Sequence, residues 1–92
     1  MELNLQNKKV LVIGASKGIG RGIVNGFAKE KTNLVIVART EGLLQNVQKE
    51  ALENGALTCV YIVEDIMTCD TQKFARKLLE KYGIFDVVVH NV

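Results

Sequence analysis

The sequence predicts an α/β protein built as a doubly wound parallel sheet, and three observations predict it. Apolar runs of four to six residues alternate with stretches of helical periodicity. The runs are continuous rather than alternating, which suits strands covered on both faces. Turn and cap residues stand where one element gives way to the next.

Val10-Leu11-Val12-Ile13 is the first strand. Glycines and Ser16 follow it, and then Ile19, Ile23 and Phe27 recur at the spacing of one helix face. Gly22 and Gly26 share a face of the same helix and cost helix propensity, so they are expected to let it lie close to the sheet. Leu34 to Ala38 is the second strand. Thr40 stands where a cap is wanted for a second helix with an inner stripe of Leu44, Val47 and Ala51, widened by Leu43 and Leu52. Asn54-Gly55 closes that helix, the glycine supplying a left-handed residue. Leu57 to Val63 is the third strand. Asp70 caps a third helix lined by Phe74, Leu78 and Tyr82 and ended by Gly83, and Phe85 to His90 is the fourth strand.

Strands joined through helices of this length are parallel with right-handed crossovers. The expected spatial order is 3-2-1-4, half of a doubly wound sheet plus one strand. Strand four then lies at an edge, and its Val87-Val88-Val89 run carries neither the charge nor the proline that blunts such edges. At least one further strand is therefore expected in the working protein.

Composition narrows the function. The chain has 92 residues, is 48% hydrophobic and 24% charged, and carries a net charge of +2. That is the composition of a small globular domain, without linker, repeat or low-complexity segment. No basic cluster points to nucleic acid or a membrane surface. The polar start, Met1 to Lys9, holds no signal core, and the apolar runs are far too short to span a bilayer, so a cytoplasmic location is expected. Cys59 and Cys69 fit no metal spacing and read as unpaired thiols. No metal ligand set is expected, and His90 reads as a structural histidine.

The chemistry-bearing segment is Gly14-Ala15-Ser16-Lys17-Gly18-Ile19-Gly20, between a strand and a helix. Gly14 allows a sharp turn off the strand, Gly18 lets backbone approach a phosphate, and Gly20 lets the helix pack closely. Free N–H groups and the helix dipole attract a pyrophosphate at such a place. The spacing is G-x-x-x-G-x-G. It differs from the G-x-G-x-x-G dinucleotide fingerprint and from the P-loop, whose lysine follows its last glycine. A phosphorylation-controlled receiver, also doubly wound, needs an acid at the end of strand one, where Ile13-Gly14 stand.

This loop resembles that of the short-chain dehydrogenase/reductase family, and the resemblance runs through the chain. Lys8-Lys9-Val10 lead in, Asp65 follows strand three, and His90-Asn91-Val92 is similar to the family's Asn-Asn-Ala. Departures are Ile13 for the usual Thr, Lys31-Thr32 for Gly-Ala before strand two, His90 for Asn and Val92 for Ala. The resemblance implies a Rossmann-type sheet, with residues 1–92 the N-terminal part of a single NAD(P)-binding domain. The implied activity is hydride transfer between a nicotinamide and a small carbonyl or alcohol substrate, in a protein that is commonly a homo-oligomer. It also implies contacts from Ser16, Lys17 and Ile19 in the loop, from Asp65 and Ile66 near the adenine, and from Asn91 near the adenosine ribose.

The end of strand two discriminates between coenzymes. An acid there would accept bonds from the ribose hydroxyls and repel a 2′-phosphate. Ala38, Arg39 and Thr40 stand there instead, and a guanidinium holds phosphate bidentately. With Lys17 in the neighbouring loop they favour NADP(H), NAD(H) remaining the alternative. The family's proton-transferring Tyr-x-x-x-Lys is not found, because Asp65 and Asp86 follow Tyr61 and Tyr82 at that spacing. Both tyrosines read as packing residues, and no catalytic residue is assigned. Two functions stay open: the coenzyme-binding portion of an oxidoreductase, and a non-catalytic nucleotide-binding module.

Overall fold

A computed structural model describes residues 4–91. Met1 to Leu3 and Val92, the last matched above to the family's Ala, lie outside the described residues. The elements are β1 (Lys9–Ile13), α1 (Gly18–Lys29), β2 (Asn33–Ala38), α2 (Glu41–Glu53), β3 (Thr58–Val63), α3 (Thr71–Tyr82) and β4 (Val87–His90). The strands form one sheet in the order β3-β2-β1-β4. Every pairing is parallel, with Val12 opposite both Ile36 and Val89. The doubly wound α/β architecture and its strand order are those expected from the sequence.

The pleat divides the strand residues between two cores. Val10, Val12, Leu34, Ile36 and Cys59 point to the face covered by α1 and α2, with Val24, Ala28, Leu44, Val47 and Ala51 from the helices. Leu11, Val35 and Val37 point to the other face and meet Leu78, Phe74 and Tyr82 of α3. The central strands β1 and β2 are thus buried on both sides, which is why their sequences are unbroken apolar runs. At about 25 cal/mol per Å² of apolar surface, these two interfaces supply the main driving force for folding.

Helix α1 differs from expectation in its orientation. Its buried residues are Gly20, Val24 and Ala28, with Ile23 and Phe27 flanking them, and Ile19 is 76% exposed. Gly22 and Gly26 do not face the sheet: a Cβ at either would meet nothing within 4 Å. The close approach is made nearer the start of the helix, at Gly20. Small residues face the strands because the helix starts so near them.

The helix ends follow local chemistry. Asp70 accepts a 3.1 Å bond from Lys73 N, so its expected cap on α3 is present. Thr40 occupies the cap position of α2, but its side chain makes no cap bond. At the C-terminus of α2, Ala56 N donates to Ala51 O and Gly55 N to Leu52 O, with Gly55 at φ +119, which forms a Schellman motif. Lys31, where the family usually has Gly, is left-handed at φ +58. Thr32 beside it is fully buried and donates its hydroxyl to Phe27 O at 3.0 Å.

Strand β4 begins at Val87 rather than Phe85. Phe85 packs into the α3-side core, and Asp86 brackets Lys9 instead, its carboxylate accepting from Lys9 N at 2.8 Å. Lys9 Nζ donates to Tyr82 O, tying the end of α3 to the start of β1.

Candidate functional site

All four strands point the same way, so the loops that leave their C-terminal ends gather at one end of the sheet. The chain leaves β1 to one side toward α1 and β2, while β4 arrives on the other, which makes a crevice beside the end of β1. A cleft of about 390 Å³ opens there. It is lined by Gly14, Ser16 and Lys17 of the glycine loop, Ala38 at the end of β2 with Arg39 and Thr40 after it, Asp65 and Ile66 after β3, and Asn91 after β4. Nine sequence-predicted site residues from four separate loops therefore meet at one place.

The other three lie around it. Gly20 is buried beneath the loop, Gly18 and Ile19 are exposed at the start of α1, and none of them lines the cleft. Each glycine of the loop has a distinct geometry. Gly14 has φ +84, and a Cβ on it would sit 1.6 Å from Asn91 O. A Cβ on Gly20 would sit 1.9 Å from Gly14 O. Gly18 also has positive φ, at +60, but a Cβ there would meet nothing within 4 Å. Two glycines thus permit contacts within the protein, and the third leaves backbone open to the outside.

Hydrogen bonds hold this cradle in place. Gly14 N donates to Val37 O at 2.8 Å, and Asn91 N donates to Ile13 O at 2.9 Å. Asn91 Nδ2 donates to Gly14 O at 3.2 Å. Asn91 therefore braces the glycine loop as well as lining the cleft. Helix α1 starts after Lys17, whose backbone is extended and whose side chain makes no cap bond. The N-terminal amides of α1 are left without a side-chain cap at the positive end of its dipole.

The charges at the cleft are mixed. Lys17 and Arg39 are exposed, and neither forms an ion pair among the described residues. Asp65 closes a turn: its Oδ1 accepts from Met67 N at 3.0 Å, and Cys69 N bonds its backbone carbonyl. Its role as a turn residue is thus visible, and its presence in the cleft is compatible with it.

Four lining residues were not named as site residues from the sequence: Ile13, Val37, Glu64 and Met67. Ile13 and Val37 are adjacent by strand register, so an explicit pairing would have found them. Glu64 is anchored at the end of β3 by its N–H bond to Ala38 O at 2.9 Å, and its acidic type was the available signal. Met67, 76% exposed, carried none.

Other candidate groups lie elsewhere. Tyr61 is half-buried under α2 and hydrogen-bonds Glu41 and Gln45. Tyr82 packs at 6.4 Å from Phe85 between ring centroids, its hydroxyl buried without a partner among the described residues. Cys59 and Cys69 are free. Burial pushes the Cys59 thiol up to about 11, and burial together with the Glu64 carboxylate pushes Cys69 up as well. Neither is an activated nucleophile. His90 is exposed at the end of β4, and among the described residues no helix is long and apolar enough to cross a membrane.

Comparison with known proteins agrees with this geometry. The family model for short chain dehydrogenases matches residues 8–92. The chain is 35% identical over 89 residues to an 11-beta-hydroxysteroid dehydrogenase of Pinus massoniana, covering 96% of this chain and 25% of the relative. It is 36% identical over 90 residues to 11-beta-hydroxysteroid dehydrogenase B of Sesamum indicum, covering 97% of this chain and 25% of that one. Among solved structures, the L-sorbose reductase of Gluconobacter frateurii, complexed with NADPH and L-sorbose, superposes with a TM-score of 0.87 at 27% identity. That match covers 100% of this chain and 35% of the reductase. A Shigella flexneri 2a protein assigned to the short-chain dehydrogenases and complexed with NADP gives 0.84 at 28% identity, over 99% of this chain and 40% of that one. The chain spans about a quarter of the length of the two dehydrogenases. With the family model matching from Lys8 onward and the sheet order and glycine cradle in agreement, this chain belongs to the short-chain dehydrogenase family.

Proposed function

We propose that the cleft binds the adenosine and pyrophosphate of NADP(H), and that the chain is the coenzyme-binding portion of an NADP(H)-dependent oxidoreductase. The observation that carries the coenzyme preference is the convergence of Lys17 and Arg39 on one cleft in which Ala38 occupies the end of β2. A carboxylate at Ala38 would repel a 2′-phosphate, whereas Arg39 and Lys17 attract it. Two of the structurally similar proteins are complexed with NADPH or NADP, which supports the same reading.

The fit of the group rests on the backbone. Gly18 presents an open, left-handed residue, and the start of α1 offers amides without a side-chain cap. A pyrophosphate would be held by these amides, with the Ser16 hydroxyl as a further donor. Ala38, Asp65 and Ile66 would flank the adenosine, and Asn91 would brace the floor beneath the ribose. Ile19 would cover part of the dinucleotide with its exposed side chain. When bound, the coenzyme supplies the hydride exchanged with a carbonyl or alcohol substrate. The residues of this chain orient it and shield it from water.

A direct test is the ratio of dissociation constants for NADP+ and NAD+. The wild-type chain is expected to prefer NADP+. Ala38→Asp combined with Arg39→Leu is expected to reverse the preference, by about 1–3 kcal/mol in the difference of binding free energies. An unchanged ratio would refute this assignment of the 2′-phosphate site.

A further inference from the structure

The segment that carries Arg39 also carries a carboxylate that would oppose a 2′-phosphate. Glu41 follows Arg39 by two positions and opens α2. Arg39 and Thr40 line the cleft, but Glu41 does not. Its carboxylate is engaged elsewhere: Tyr61 donates its hydroxyl to Glu41 Oε2 at 3.3 Å. Gln45, one turn further along α2, donates its Nε2 to the same hydroxyl oxygen at 3.2 Å. Tyr61 stands on β3, opposite Ile36 of β2, with its side chain packed against the core beneath α2. Its position is fixed by the sheet, so the hydroxyl is a fixed point to which the first turn of α2 is fastened.

We propose that Tyr61 is a positioning residue for coenzyme selection, holding the Glu41 carboxylate away from Arg39 and from the 2′-phosphate. The inference rests on the NADP(H) reading above and concerns one determinant of it. A free glutamate at this place has two effects with the same sign. It pairs with the Arg39 guanidinium, which has no ion-pair partner among the described residues, and it brings a negative charge toward the phosphate. Both oppose the doubly charged phosphate of NADP(H), and neither opposes the uncharged ribose hydroxyl of NAD(H). The groups are solvent-exposed, so the effect is modest and weakened by salt.

The experiment is a comparison of NADP+ and NAD+ dissociation constants in the full chain, for wild type, Tyr61→Phe, Glu41→Gln and the double variant. Tyr61→Phe removes one oxygen and keeps the packed ring. It is expected to weaken NADP+ binding about three- to fivefold without weakening NAD+ binding, and the loss should shrink at high salt. Glu41→Gln in the Tyr61→Phe background is expected to restore NADP+ binding, because the amide carries no charge. A purely structural role for Tyr61 would weaken both coenzymes together and would not be rescued by Glu41→Gln. Either of those results, or an unchanged ratio in Tyr61→Phe, overturns the proposal. A wild-type chain that prefers NAD+ would overturn the NADP(H) reading itself, and this inference with it.

Discussion

Gly14 and Gly18 carry similar positive φ angles, +84 and +60, yet their surroundings differ completely. A methyl group on Gly14 would overlap Asn91 O, a backbone atom held by the β1–β4 pairing. Gly14→Ala is expected to destabilise the fold by more than about 3 kcal/mol, since steric overlap with backbone adds to the cost of the left-handed conformation. Gly18→Ala carries only the conformational cost, about 1–2 kcal/mol, because the space around it is open. Under the proposed placement of the pyrophosphate against the start of α1, its larger effect should fall on coenzyme binding. Urea denaturation and coenzyme titration of both variants separate the two losses. Equal stability losses would show that Gly18 also has a structural contact. The spacing of these glycines and the open backbone at Gly18 were legible in the sequence, but the contact that closes Gly14 against Asn91 was not. That contact depends on where β4 brings Asn91, seventy-seven positions from Gly14. Lys31 is a plainer case. Its left-handed conformation was hidden because a lysine stands where glycine would have advertised it.

Among the elements, α1 is the one whose inner face was misread, and the reason is the size of its residues. Periodicity weights large apolar side chains, so Ile19, Ile23 and Phe27 suggested the buried stripe. The contact between Gly20 and Gly14 O sets the helix so close to the sheet that Gly20, Val24 and Ala28 face inward. The glycines at 22 and 26 consequently face outward. This reverses the expected effect of substituting them. Were they packing glycines, an alanine would be destabilising. In open space at ordinary negative φ, Gly22→Ala and Gly26→Ala should each stabilise the protein by about 0.5–1 kcal/mol, through helix propensity and a smaller unfolded-state entropy. The midpoint of chemical denaturation should rise for each single variant and again for the pair. A fall would mean that α1 is turned toward the sheet as its large residues suggest. Helix α2, by contrast, was read correctly at Leu44, Val47 and Ala51, which are both its apolar stripe and its buried residues, although Leu52, expected to widen that stripe, is 47% exposed.

At the scale of the molecule, the order β3-β2-β1-β4 leaves two edge strands, and they are not equally protected. Along β3, Gln48 Nε2 of α2 donates to Cys59 O at 2.7 Å, and Tyr61 is fastened to the same helix. Among the described residues, β4 makes no such side-chain bond along its outer edge, and Val88 is 58% exposed on the face that α3 covers only in part. An unpaired strand of valines offers both hydrogen-bonding groups and apolar surface to another strand. The alternation of element types made the bare β4 edge foreseeable, since strand four had to arrive beside strand one. The protection of β3 was not foreseeable, because it depends on which side chains of α2 reach across. The 92-residue chain, prepared by itself, is therefore expected to self-associate through β4. Sedimentation should show a weight-average mass that rises with concentration above the monomer value of 10.2 kDa. Val88→Lys places a charge on the exposed face of β4 and should lower that association. Val60→Lys, on the half-protected β3, should leave it unchanged. If the lysine on β3 dissolves the assembly and the one on β4 does not, the contact lies at the opposite edge, and the bonds from α2 protect β3 less than their geometry implies.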